Sequence, residues 1–98
     1  MKIDKVPEGT KLTINVSGRL DTTTAPQLDE ELKASIDGIE SLIMDLDELE
    51  YISSAGLRVL LYAQKVMNKQ GEMIVRNANE QIMEIFEVTG FSDILTIK

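Results

Sequence analysis

The sequence predicts an α/β domain with a mainly parallel sheet of about five strands and one antiparallel strand at its edge. Three observations carry that prediction. Leu12, Ile14 and Val16 alternate with polar residues, the period of a half-buried strand. Later segments place apolar residues three and four apart, the period of an amphipathic helix. Short apolar runs separate these helical segments. The expected order is β-β-α-β-α-β-α-β, with right-handed crossovers between parallel strands.

Each element has a local reason. Lys2 to Val6 reads as an edge strand, closed by the turn-forming run Pro7-Glu8-Gly9-Thr10. Lys11 to Ser17 is the alternating strand and stops at Gly18. Thr24 followed by Gln27 matches a capping box, and Pro26 suits a first helical turn. A helix then runs to about Ile36, with Ala25, Leu28, Leu32 and Ile36 on one face. Asp29, Glu30 and Glu31 lie toward its positive end. Ser41 to Leu46 is nearly all apolar and reads as a central strand covered on both faces. Asp47 to Ile52 reads as a connecting loop. A second helix starts near Ser54 and reaches about Asn68, with a stripe of Leu57, Leu60, Leu61, Val66 and Met67. Met73 to Val75 is a third core strand. Asn79 caps a last helix whose inner face is Ile82, Ile85, Phe86 and Thr89, and Gly90 stops it. Ile94 to Ile97 closes as a short strand. No linker, repeat or low-complexity tract interrupts residues 1–98, so a single domain is expected.

Composition narrows the chemistry. The chain has no Cys and no His, which argues against disulfides, zinc sites and histidine-based catalysis. No metal or cofactor is expected, and no enzyme activity. The net charge of −7 makes nucleic acid and anionic membrane poor partners. No apolar run approaches the ~20 residues that span a bilayer. Met1 to Lys5 lacks a signal-peptide pattern, so a cytoplasmic protein is expected. An acidic surface suits a protein partner with a basic or mixed face.

The most informative feature is Ser53-Ser54, between a strand and a helix. A serine there is a good N-cap. It also lies outside the C-terminal end of a strand, where α/β sheets gather their binding sites. Gly56 is a costly choice inside a helix unless another backbone comes close. Asp21 and Thr22 follow a strand on the same sheet edge and extend the candidate partner face. Arg58 is a solvated helix residue or a pair for an acidic group on a partner. Asp45 and Asp47 read as loop-capping residues, a magnesium pair being the less economical alternative. Lys65 and Lys69 are solvated; Met44, Met67 and Met73 fill the core. Serine-hydrolase chemistry lacks both a His base and a Gly before the serine.

The run Tyr51-Ile52-Ser53-Ser54-Ala55-Gly56-Leu57-Arg58-Val59-Leu60-Leu61 resembles the signature of bacterial anti-sigma factor antagonists, members of the STAS domain family. Gly18-Arg19-Leu20-Asp21 with Thr24, Ala25 and Leu28 resembles that family's other characteristic stretch. The resemblance covers nearly the whole chain and implies a STAS-like α/β fold. It also implies a partner, a serine-kinase anti-sigma factor, that binds the unmodified protein and phosphorylates it. A metal-dependent serine phosphatase would reverse the modification. The acceptor falls on Ser54, with Ser53 as the alternative. The family commonly has Asp where Ser53 stands, and often Ser or Thr where Ala55 stands. Asp21 matches an aspartate near the family's partner surface. Other roles fit the same fold: an adaptor in a sensory or transporter-associated complex, or a nucleotide- or small-ligand-binding domain.

Overall fold

A computed structural model describes all 98 residues. In chain order it contains β1 (Lys2–Glu8), β2 (Lys11–Leu20), α1 (Ala25–Ser35), β3 (Ser41–Asp45), β4 (Leu49–Ile52), α2 (Ser54–Gln70), β5 (Glu72–Arg76) and α3 (Glu80–Thr89). A 3₁₀ turn at Phe91–Asp93 follows. The five-stranded sheet runs β1-β2-β3-β5, with β4 also paired to β2. β1 is antiparallel to β2, and the other ladders are parallel. This is the expected α/β sheet with its antiparallel edge.

Two elements differ from expectation. Leu49–Ile52 is a strand rather than a loop. It resumes the β2 ladder after β3 has left it: Asn15 pairs Asp45, then Gly18 pairs Leu49. The register shifts at Gly18/Arg19, where Gly18 takes a φ of 85°, a bulge that lets β2 continue to Leu20 instead of ending. Conversely, Ile94 to Ile97 is not a strand. Only an isolated bridge joins Ile97 to Val75. The fifth strand is therefore β4.

The core explains the layering. Leu12, Ile14 and Val16 of β2, Leu42 and Met44 of β3, and Met73 and Val75 of β5 lie in one cluster of 24 buried residues. Leu28 and Leu32 of α1, Leu60 and Met67 of α2, and Ile82 and Phe86 of α3 belong to the same cluster. The helices thus share one face of the sheet. Right-handed crossovers that step in one direction, β2 to β3 through α1 and β4 to β5 through α2, put these two helices on that face, and α3 joins them through Ile82 and Phe86. So β3 is not covered by helices on both faces. Its outward Ile43 lies outside the core cluster, flanked in register by Thr13 and Ile74.

Smaller differences are local. Asn79 caps α3 through Ile82 N–H at 2.8 Å, and Gly90 ends it with a left-handed φ of 81°, both as expected. Thr89 is exposed rather than inward; its hydroxyl donates to the Ile85 carbonyl at 2.6 Å. The acids of α1 lie past its first turn, where Asp29 pairs Lys33 at 2.9 Å. Lys65 and Lys69 are exposed, and Met44, Met67 and Met73 are buried.

A candidate partner face at the start of two helices

Two chain reversals meet at one end of the sheet. β2 ends at Leu20 and β4 at Ile52, which are paired in register. Ser53 N–H donates to the Leu20 carbonyl at 2.9 Å, tying the start of α2 to the turn that precedes α1. Asp21 and Ser53 are therefore placed by the same ladder.

Thr24 occupies the N-cap position of α1 but makes no side-chain cap bond; the capping bonds form in the turn before it, at Asp21. Its carboxylate accepts from the Thr23 and Thr24 amides at 2.9 and 3.2 Å. Thr24 returns the favour: its hydroxyl accepts from Asp21 N–H at 2.9 Å and donates to the Arg19 carbonyl at 2.7 Å. This is a capping box with aspartate first and threonine third inside the turn. The Thr24 side chain makes no bond to the amides beyond it. Partial desolvation works against ionisation of Asp21, but those amides, the Thr24 hydroxyl and Arg19 together hold its pKa below the ordinary carboxylate value. Thr22 stands exposed at the tip of the turn.

α2 begins with a division between its two serines. Ser53 is the N-cap, with an extended ψ of 176° and its hydroxyl accepting from Gly56 N–H at 3.4 Å. Ser54 is the first helical residue. It is exposed, and its hydroxyl makes no hydrogen bond within the chain. Gly56 is buried, and its reason is internal. A Cβ there would come within 2.7 Å of Leu20 Cγ and 2.8 Å of Ile52 Cγ1. The glycine lets the first turn of α2 lie on the paired strand ends, so the expected close approach is from this chain's own side chains.

Between the two helix starts lies a shallow groove of about 320 Å³. Thr22, Ala25, Pro26 and Asp29 line one side; Ala55, Arg58 and Val59 line the other. Arg58 is exposed. The structure thus brings Asp21, Thr22, Ser53, Ser54, Gly56 and Arg58 to one end of the fold. Sequence reading missed the apolar lining of Ala25, Pro26, Ala55 and Val59. Ala25 was read only as part of the core stripe, and the position of Pro26, Ala55 and Val59 at the helix starts was the available signal.

The other acidic pair lies apart from this face. Asp45 accepts from Arg76 Nε, Asn77 Nδ2 and Asp47 N–H, each at 3.1 Å. Desolvation opposes its charge, but these donors hold its pKa below the usual value. Its oxygens are thus engaged in closing a turn, and no group of three or more metal-ligating side chains gathers around it. No helix is long and apolar enough to cross a membrane.

Comparison with known proteins bears on family and fold. The sequence profile of the STAS domain matches residues 2–98. The BtrV protein of Bordetella bronchiseptica is 39% identical over 84 residues, covering 84% of this chain and 72% of that protein. The anti-sigma-B factor antagonist of Listeria monocytogenes is 37% identical over 90 residues, covering 89% of this chain and 78% of that one. The phosphorylated form of SpoIIAA, a Bacillus cell fate determinant, superposes with a TM-score of 0.77 at 16% identity, over 99% of this chain and 91% of that one. The profile match across the chain, the relatives and the fold point one way: the chain belongs to the STAS domain family.

Proposed function

We propose that this protein is an anti-sigma factor antagonist that binds a serine-kinase anti-sigma factor and is released when Ser54 is phosphorylated. The carrying observation is the Ser54 hydroxyl, exposed and unbonded at the first position of α2. Ser53 meets the capping need, so modifying Ser54 breaks no internal bond. The partner face comprises Asp21, Thr22, Ser53, Ser54 and Arg58 around the groove. Gly56 supports it from beneath. The names of relatives that match over most of this chain support the pathway.

The chemistry on this chain is that of a substrate. The γ-phosphoryl group of ATP forms a bond to Ser54 Oγ, ADP leaves, and the hydroxyl proton is released. The product adds about −1.5 to −2 charges to a chain already at −7. A face that docks while neutral at Ser54 is then repelled and sterically blocked. A metal-dependent serine phosphatase hydrolyses the ester and restores binding. The protein itself is not an enzyme and acts in the cytoplasm as a single domain.

The test is incubation with the cognate kinase and ATP, followed by intact-mass and fragment analysis. One added phosphate on Ser54 and weaker kinase binding by the product are expected. Phosphate on Ser53, no phosphate, or unchanged affinity after phosphorylation overturns the proposal.

A further inference from the structure

We infer that Arg58 captures the phosphate on Ser54, so that modification also withdraws the cation from the partner groove. This inference rests on the proposed phosphorylation of Ser54 and specifies how the switch acts.

Ser54 and Arg58 are four residues apart in α2, and both are exposed. Residues at that spacing lie on one helical face, with Cβ atoms about 5–6 Å apart. The order is favourable, since the anion lies N-terminal to the cation. A guanidinium presents a planar fork that suits phosphate oxygens.

Arg58 is also uncommitted, unlike the other arginines. Arg19 lies 3.9 Å from Asp21 and 4.3 Å from the centre of the Tyr51 ring. Arg76 binds Asp45 at 3.1 Å. Arg58 has no carboxylate within 4.0 Å. The one acidic residue lining the groove, Asp29, is held by Lys33 at 2.9 Å. Arg58 is the one cationic residue lining the groove.

Two consequences follow. In the unmodified protein Arg58 offers a positive group beside the apolar Ala55 and Val59, a site for an acidic side chain of the kinase. In the phosphorylated protein the same guanidinium turns along α2 to Ser54. The groove then presents no free cation, and the phosphate weakens binding twice.

The decisive measurement is a ³¹P NMR pH titration of the protein carrying phosphoserine at position 54, in wild type and in Arg58→Gln. Asp29 in the groove wall and Asp21 in the preceding turn act alike in both proteins, so the difference isolates Arg58. The wild-type midpoint should lie about 0.3–0.7 pH unit below that of the variant. Arg58→Lys, which keeps the charge but not the fork, should fall between. Identical midpoints in folded wild type and Arg58→Gln overturn the inference.

A binding cycle gives a second reading. The fold-loss in kinase affinity on phosphorylation should be smaller in Arg58→Gln than in wild type. Equal fold-losses overturn the competition for Arg58. Phosphoserine can be encoded at position 54 during translation. A kinase that fails to modify Ser54 therefore sinks the proposed function, while the titration still decides the role of Arg58.

Discussion

Replacing Gly56 by Ala separates two explanations of the glycine by the sign of its effect. In an ordinary helix the change is stabilising, by about 0.5–1 kcal/mol. Here the new methyl would lie 2.7 and 3.0 Å from two atoms of Leu20 and 2.8 Å from Ile52. Both side chains are almost wholly buried, at 0% and 1% exposure, and have nowhere to retreat. Overpacking of this kind costs about 1–3 kcal/mol. Three contacts on two immobile neighbours put the cost in the upper half of that range. Subtracting the helical gain leaves a net loss of about 1–2 kcal/mol. In urea unfolding monitored by circular dichroism, with a slope of about 1–3 kcal/mol per molar, the midpoint should fall by roughly 0.5–1 M. A variant as stable as wild type, or more stable, refutes the packing argument. A stable variant that fails to bind the kinase would instead assign the glycine to close approach of a partner.

Other outcomes follow from the same geometry. Ser53→Ala should lose about 0.5–1 kcal/mol, the low end for an N-cap because the bond is long at 3.4 Å, whereas Ser54→Ala should stay within about 0.5 kcal/mol of wild type in chemical unfolding. Gly71→Ala should be far more damaging, by about 3 kcal/mol or more in thermal unfolding, since its Cβ would overlap the Glu40 carbonyl, which is fixed by Glu72 N–H at 3.0 Å. Asp45→Asn should lose about 1 kcal/mol at pH 7, where the wild-type carboxylate is charged and bound to Arg76. Because the folded pKa of Asp45 is depressed, the unfolded chain takes up its proton first as pH falls. Its contribution is therefore complete above about pH 4 and is lost through the folded pKa, so the two stability curves should converge in acid.

What the sequence revealed, and what it hid, has physical causes. Alternation in β2 was plain because Leu12, Ile14 and Val16 face a core while their neighbours do not. β4 was hidden because Asp47, Glu48 and Glu50 give Leu49–Ile52 the composition of a loop, and its pairing with β2 depends on a bulge at Gly18. The cap position of α1 fell at Thr24 as expected, but its capping bonds were misplaced because two patterns overlap. Thr24-x-x-Gln27 and Asp21-x-x-Thr24 both satisfy capping rules, and only tertiary position chooses between them. The bond from the Thr24 hydroxyl to the Arg19 carbonyl makes that choice, because it fixes Thr24 to the end of β2. The place of Ser54 at the start of α2 was legible, but the packing role of Gly56 was not. Its constraint comes from Leu20, far away in sequence and adjacent only after β2 and β4 pair.

The same pairing is what would let a rigid fold carry the proposed switch. Ser53 is bound on two sides, through its amide to Leu20 and through its hydroxyl to Gly56. Serine caps about as well as aspartate, so Ser53 holds the cap without adding a charge. An aspartate there would cap equally well but would place a charge beside the proposed acceptor, a matter of recognition rather than folding. Ser54, one residue on, carries none of these bonds, while the core begins again immediately at Gly56 and Leu57. A phosphate can therefore be added where the structure has nothing to lose. Under the proposed function its effect is felt at the surface, through the groove and Arg58, and not through a rearranged core.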